Sequence, residues 1–180
     1  MKTYIALFRG INILGRNLLP MKALRVLCEK NGCVDVQTYI QSGNVIFRSA
    51  RSDVSRIAKQ LTGSISKGHG FEPRVVVLTL GEIENAAAGN PFPEAAKDPK
   101  SLHLFFLAEV PKKPDLKSFE SLKTPTERFV LKGRTFYLHT PDGFGRSKLA
   151  ARAEKLLGVD ATARNWRTVT TLVDIAKNLA

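Results

Sequence analysis

The order of hydrophobic patterns along the chain constrains the fold more than any other feature of the sequence. Thr3–Phe8 has the apolar and aromatic content of a β-strand, and Leu18–Lys30 spaces its apolar residues as an α-helix does. Two short strands, a helix and a β-branched strand follow, which gives the order β-α-β-β-α-β. The patterns predict these later elements over Val34–Gln41, Val45–Arg48, Asp53–Leu61 and Arg74–Leu80, with a short closing helix over Glu82–Ala88.

The second half of the chain repeats this order, although residue identity between the halves is slight. Prolines at positions 91, 93 and 99 interrupt any regular element between the halves. We therefore predict an α+β protein of two tandem ferredoxin-like βαββαβ units, 1–90 and 91–180, each with an antiparallel four-stranded sheet. The predicted elements of the second half are Leu102–Leu107, Leu116–Leu122, Arg128–Leu131, Thr135–His139, Ser147–Leu157, Ala161–Ala163 and Asn165–Leu179.

In the first unit, this topology places two polar loops at one end of the sheet. The loop after strand 1 and the hairpin between strands 2 and 3 share that end, because strands 1 and 2 run in the same direction. Backbone N–H groups and a helix N-terminus there favour anions. The candidate ligand-binding residues at this end are Arg9, Asn12, Arg16, Ser42 and Asn44.

In the second unit, the opposite end is the polar one. The segment that leaves strand 3 opens one helix, and the segment that leaves strand 4 opens the last helix, so two helix N-termini converge there with several cations. Guanidinium groups bind phosphate and carboxylate in a bidentate manner. The candidate residues at this end are Arg146, Ser147, Lys148, Arg164, Asn165 and Arg167, with the Trp166 indole as a candidate stacking platform.

Each of these motifs also has a purely structural interpretation. The Ser42-Gly43-Asn44 turn is explained by hairpin geometry alone, and Ser147 is suited to capping a helix. Gly143-x-Gly145 matches neither a Walker A loop nor a dinucleotide-binding fingerprint. Trp166 lies close to an apolar stripe and also suits a core position.

Charge is the strongest compositional signal. The chain has 28 Lys and Arg residues against 16 Asp and Glu residues, and the net charge of +12 divides equally between its halves. Such a charge attracts anions, including nucleic acid and nucleotides, although it also suits a solvated surface that serves only solubility. No apolar run is long enough to cross a bilayer and no signal-peptide pattern is present, so we expect a cytoplasmic protein without a membrane partner.

Cysteine and histidine usage argues against a metal or cofactor. Cys28 and Cys33 lack the further ligands of a zinc site, and we expect both to be reduced, structural thiols. His69, His103 and His139 are scattered along the chain. We therefore predict no metal site and no cofactor.

Three segments resemble a known family. Ala6–Asn12, Thr38–Val45 and Thr162–Thr168 are similar to signature segments of the bacterial domain-of-unknown-function 1697 family, and Ser147-Lys148 matches a further short one. Leu14 departs from the pattern, because a glycine is expected there. The resemblance implies a cytosolic bacterial protein with paired ferredoxin-like units, and it implies no established activity, substrate or cofactor.

Three functions remain open at this point. The first is binding of a phosphate-bearing ligand, either nucleic acid or a nucleotide, through the two loop clusters. The second is a small enzyme for a phosphorylated or carboxylated metabolite, in which arginines hold the anion and Ser42 or Ser147 acts as nucleophile or proton donor. The third is a protein-interaction domain without ligand chemistry. A deep pocket favours the enzyme, and a broad basic groove favours nucleic acid.

Overall fold

The computed structural model describes residues 1–180. It divides into two compact units, of which the first comprises Met1–Asn85 with Thr171–Ala180 and the second Ala86–Thr170. Each unit contains one four-stranded antiparallel sheet, so the predicted pair of ferredoxin-like units is confirmed. The domain limits 1–90 and 91–180 stay a prediction.

The first sheet has the strand order β2-β3-β1-β4, and helices α1 and α2 pack on one of its faces. Both β3 and β4 run antiparallel to the central strand β1. The elements are β1 (Lys2–Arg9), α1 (Met21–Lys30), β2 (Val34–Tyr39), β3 (Asn44–Ser49), α2 (Val54–His69), β4 (Arg74–Thr79) and α3 (Leu80–Ala88).

The second sheet has the corresponding order β6-β7-β5-β8, with β5 as a central strand. Two short 3-10 helices, Pro93–Lys97 and Phe144–Arg146, lie before β5 and after β7. The longer elements are β5 (Leu102–Leu107), α4 (Leu116–Leu122), β6 (Arg128–Lys132), β7 (Thr135–His139), α5 (Lys148–Leu157), β8 (Ala161–Asn165) and α6 (Trp166–Leu179).

Side chains alternate between the two faces of each sheet, and those on the helix-facing side form a hydrophobic core with the helices. In the first unit Tyr4 and Phe47 stack with ring centroids 5.8 Å apart, beneath the buried α2 stripe of Ile57, Leu61 and Ile65. In the second unit the core is aromatic, and it joins Phe105, Phe119 and Phe136 to α5. These cores fix the ends of the strands, from which the polar loops emerge.

Two helix boundaries differ from the prediction by three residues or more. Helix α1 begins at Met21 and not at Leu18, because Pro20 keeps an extended ψ of 137°. Helix α2 continues past Leu61 to His69, because Ile65 prolongs its buried stripe, and the left-handed Gly70 ends it. None of the helices is both long and apolar enough to span a membrane.

Candidate functional site

The structure brings together the two polar segments of the first unit. The backbone N–H of Phe8 donates to the Gly43 carbonyl at 2.8 Å, and the Asn12 side chain donates to the Gln41 carbonyl at 3.1 Å. We call the residues at this end, Arg9–Asn17 with Ile40–Gly43, the first-unit loop surface. Its position is the one that the strand directions predict.

The Asn12 side chain links the loop after β1 to the β2–β3 hairpin. Its Oδ1 accepts a hydrogen bond from the Leu19 N–H at 2.8 Å, and its Nδ2 donates to the Leu19 carbonyl at 3.0 Å as well as to Gln41. Its backbone is left-handed, with φ at 53°, which asparagine tolerates better than most residues. The polar atoms of this amide are therefore engaged in shaping the loop.

Ser42 and Asn44 are also explained by the hairpin. Asn44 is fully buried, and its Nδ2 donates to the Tyr39 carbonyl and to the Ser42 Oγ, each at 3.0 Å. An oxygen that accepts a hydrogen bond has a lone pair engaged and is a poorer nucleophile, so the geometry does not favour catalysis by Ser42. Between them, Gly43 has a φ of +75° that a turn of this kind requires.

The exposed part of this surface is cationic and apolar. Arg9 and Arg16, two of the candidate ligand-binding residues, are exposed. The sequence analysis missed the apolar residues beside them: Ile13, Leu14, Leu18 and Ile40 expose 51%, 97%, 64% and 50% of their surface. The sequence shows a run of apolar residues inside a loop rich in glycine and asparagine, but it does not show which of them are exposed.

Leu14 forms the tip of a tight turn. Ile13 and Arg16 exchange two backbone hydrogen bonds, of 3.2 and 2.8 Å, across the pair Leu14-Gly15, and both members of that pair have positive φ. This is the pattern of a type I′ turn, which asparagine and glycine normally fill. A leucine at φ 47° is strained by roughly 1–2 kcal/mol, and the β-branched Ile40 has a similar φ of 49°.

In the second unit, His103 connects the two segments that were predicted to converge. It pairs with Asn165 across the β5–β8 ladder, and its ring stacks on Phe144 with centroids 3.7 Å apart. We call Phe144–Lys148 with Asn165–Arg167 the second-unit loop surface. Burial lowers the pKa of His103 to about 4, so its imidazole is neutral at pH 7.

Two of the predicted ligand residues in this surface cap helices. Ser147 is buried, and its Oγ accepts a hydrogen bond from the Ala150 N–H at 3.1 Å at the start of α5. The Asn165 Oδ1 accepts one from the Thr168 N–H at 2.9 Å at the start of α6. Capping explains both side chains, and it leaves Ser147 poorly placed to act as a nucleophile.

Arg164 lies on the other face of its sheet. It is cross-strand from Leu104, whereas its neighbours Ala161 and Ala163 face the helices. Only 9% of its surface is exposed, its Nη1 donates to the Ala163 carbonyl at 2.8 Å, and burial lowers its pKa to about 10. Arg164 is therefore a buried structural cation and does not belong to the second-unit loop surface.

Three predicted cations of the second unit remain exposed. Arg146 and Lys148 lie at the start of α5, and Arg167 lies in the first turn of α6. The helix dipole makes the electrostatic potential at a helix N-terminus positive, and these three cations make it more positive still. The half-buried Trp166 begins α6 beside them.

The first unit also has a cavity that shares no lining residue with its loop surface. It is a groove of about 710 Å³ between α1 and α2, and the sequence analysis did not anticipate it. The ionisable side chains that line it are Lys22, Lys30 and His69, and none of the lining residues is acidic. Its remaining lining residues are Pro20, Ala23, Val26, Leu27, Asn31, Ser64 and Gly68.

A family model described as "Protein of unknown function (DUF1697)" matches residues 1–137. The chain belongs to this family. The match contains the whole first-unit loop surface and ends inside β7, before the second-unit loop surface begins. The similarity noted at Ser147-Lys148 and Thr162–Thr168 therefore lies outside the matched residues.

A solved structure shares the fold of this DUF1697 protein. It is described as that of the conserved bacterial protein SP0830 from Streptococcus pneumoniae, and it is 23% identical, with a TM-score of 0.74. The alignment covers 97% of this chain and 98% of that chain, so the likeness extends over both units. No curated protein matches the chain.

Proposed function

We propose that this protein binds single-stranded nucleic acid, and that it does so through the first-unit loop surface. The observation that carries the proposal is that two strained apolar residues, Leu14 and Ile40, are exposed in the same loop surface as the exposed cations Arg9 and Arg16. Arginine guanidinium groups bind phosphate, and the faces of unpaired bases pack against apolar as well as aromatic side chains. A single strand presents both groups at once.

The backbone strain supports a role in binding. A left-handed Leu14 costs the folded state energy, and 97% exposure means that its side chain gains almost nothing from packing in the protein. Strain of this kind persists where the surrounding structure enforces it, and it concentrates at ligand-binding sites. Asn12 supplies that enforcement through its three hydrogen bonds.

The charge of the chain supports an anionic ligand. The net charge of +12 is divided between both halves of the sequence, so both halves attract an extended polyanion. A cytoplasmic location, which we also propose, would expose the protein to such strands. The engaged Ser42 and Ser147 hydroxyls favour binding over catalysis.

The test is a titration of fluorescently labelled single-stranded RNA and DNA oligonucleotides at several salt concentrations. We expect affinity to fall with salt by roughly 0.7 log unit per log unit for each phosphate neutralised, and Arg16→Ala to reduce that slope by about 0.7. Arg152→Ala, which removes an exposed arginine from α5, is the matched control and should reduce it less.

A second variant separates binding from folding. Leu14→Gly removes the exposed side chain and relieves the positive φ, so it should maintain or raise stability while weakening the oligonucleotide complex several-fold. Val110→Ala, at another exposed apolar site, should leave binding unchanged. The proposal is wrong if no oligonucleotide binds at low ionic strength, or if Leu14→Gly binds as tightly as the original chain. Those results would favour a protein partner for this surface.

The groove between α1 and α2 favours a second candidate, the binding of a small carboxylated or phosphorylated metabolite. Its volume falls in the range of small-molecule sites, and Lys22 and Lys30 suit an anionic group. Inorganic phosphate and a series of aliphatic carboxylates should then raise the melting temperature, and Lys30→Ala should abolish that rise. If neither phosphate nor any of the carboxylates raises the melting temperature, this candidate is excluded.

A further inference from the structure

The end of helix α1 brings the two cysteines of the chain together. The N–H of Cys33 donates to the Cys28 carbonyl at 3.1 Å, and the N–H of Gly32 donates to the Glu29 carbonyl at 3.0 Å. With Gly32 at φ +83°, this is a Schellman motif, in which the side chains on either side of the glycine turn come into contact. Here both of those side chains are cysteines.

The two thiols lie close enough for each to shift the pKa of the other, and they differ in environment. Cys28 is fully buried, whereas Cys33 retains 5% exposure and follows the exposed Gly32. Arg51 lies next to Cys33, since its Nη1 donates to the Asn31 carbonyl at 3.2 Å. Interaction with the Cys28 thiol and the charge of Arg51 lower the pKa of Cys33, whereas interaction with the Cys33 thiol, burial and the charge of Glu29 raise the pKa of Cys28.

We propose that Cys28 and Cys33 form an oxidation site, which a hydroperoxide converts from a dithiol to an intrachain disulfide. The Cys33 thiolate attacks one peroxide oxygen and breaks the O–O bond. Cys33 becomes a sulfenic acid, and the departing oxygen takes a proton to form water or an alcohol. The Cys28 sulfur then attacks the Cys33 sulfur and releases water, with its own proton on the leaving hydroxide. Two thiols are oxidised by two electrons and one peroxide is reduced.

The local backbone suits the disulfide product. A disulfide needs Cα atoms within about 4.4–6.8 Å of each other, and the hydrogen bond from Cys33 to Cys28 holds their peptide groups together before oxidation. The S–S bond would join two side chains that the Schellman motif already brings together, so helix α1 need not unwind. A purely structural pair of thiols would pack in the same place and resist oxidation while the chain is folded.

The test oxidises the folded full-length chain with hydrogen peroxide and then counts free thiols after unfolding. We expect the count to fall from two to zero. Lys30 lies between the cysteines, so trypsin should yield two peptides joined by the new disulfide and separated by reductant. Two free thiols in the folded chain, under conditions that oxidise the unfolded chain, would overturn the proposal. Disulfides found only between chains would overturn it as well.

Single variants test the assigned roles. Cys28→Ser retains the reactive Cys33, which should be trapped by dimedone as a sulfenic acid. Cys33→Ser retains the buried Cys28, which should be alkylated by iodoacetamide at least about tenfold more slowly than Cys33 in the other variant. Equal rates would contradict the asymmetry. If either variant fails to fold, the peptide map of the unmodified chain still decides whether the disulfide forms.

Discussion

The imidazole of His103 lies nearly flat on the ring of Phe144, with centroids 3.7 Å apart and an angle of 21° between the rings. Its Nδ1 is buried without a hydrogen-bond partner. Protonation would place a charge at that buried nitrogen, which is why burial lowers the pKa of His103 to about 4. This stacked pair therefore favours a neutral imidazole.

The stacked pair predicts a loss of stability in mild acid. The unfolded chain takes up a proton on His103 near pH 6.5 and the folded chain only near pH 4, so the unfolding free energy should fall as the pH drops through that interval. His103→Phe should remove this part of the pH dependence, which amounts to at most about 3 kcal/mol. Denaturant unfolding of both proteins from pH 4 to 7.5 measures the difference. Parallel curves would contradict the prediction.

Two glycine-to-alanine substitutions should have opposite effects. At Gly43 an added Cβ would lie 2.6 Å from the Ile11 Cδ1 and 2.7 Å from the Phe8 Cβ, at a φ of +75°, so Gly43→Ala should cost about 2 kcal/mol or more. At Gly68, inside α2, an added Cβ meets nothing within 4 Å. Gly68→Ala should therefore stabilise the protein by about 0.5–1 kcal/mol. Thermal unfolding of the two variants checks the signs, and a destabilising Gly68→Ala would contradict this account.

Asn12→Asp should destabilise the loop more than Asn17→Ala does. The aspartate retains the acceptor for the Leu19 N–H but loses the two donors to the Leu19 and Gln41 carbonyls, which predicts a loss of about 1–3 kcal/mol. Asn17→Ala removes one exposed donor, to the Gly10 carbonyl at 2.7 Å. Hydrogen exchange of the Leu19 amide should rise in Asn12→Asp. An unchanged exchange rate of the Leu19 amide would show that the Asn12 side chain does not stabilise this loop.

Hydrophobic periodicity and hairpin signals predicted the fold well because they report which face of each element is buried. The Ser42-Gly43-Asn44 turn and the Gly158 stop lie where the patterns placed them. Polar loop residues were harder to interpret, because the sequence does not show what a side chain contacts. Asn12 and Asn165 look like ligand groups until their backbone partners are known.

The exposed apolar residues and the buried cation could not be derived from the sequence alone. An apolar residue in a loop normally packs, so nothing in the sequence distinguishes the exposed Leu14 from the buried Ile11. Arg164 lies in a short, weakly patterned strand, and a one-residue change of register would turn its side chain to the other face of the sheet. The face of the sheet on which Arg164 lies depends on the register of β8 against β5, and that register is set by pairing between residues far apart in the sequence.

Arg164 and Arg167 provide the last prediction, because the same substitution should have different effects at these two nearby positions. Arg164→Ala removes a side chain with 9% exposure and its hydrogen bond to the Ala163 carbonyl, so we expect a loss of about 2–4 kcal/mol. Arg164→Met retains most of the aliphatic volume and should recover the packing part of that loss. Arg167→Ala acts on an exposed residue and should change stability by no more than about 0.5 kcal/mol. Melting curves of the three variants, each with and without phosphate, provide the measurement. If Arg167→Ala retains its stability and loses a phosphate-dependent rise in melting temperature, Arg167 is an anion ligand, whereas a destabilised Arg167→Ala would assign it a structural role and contradict the prediction.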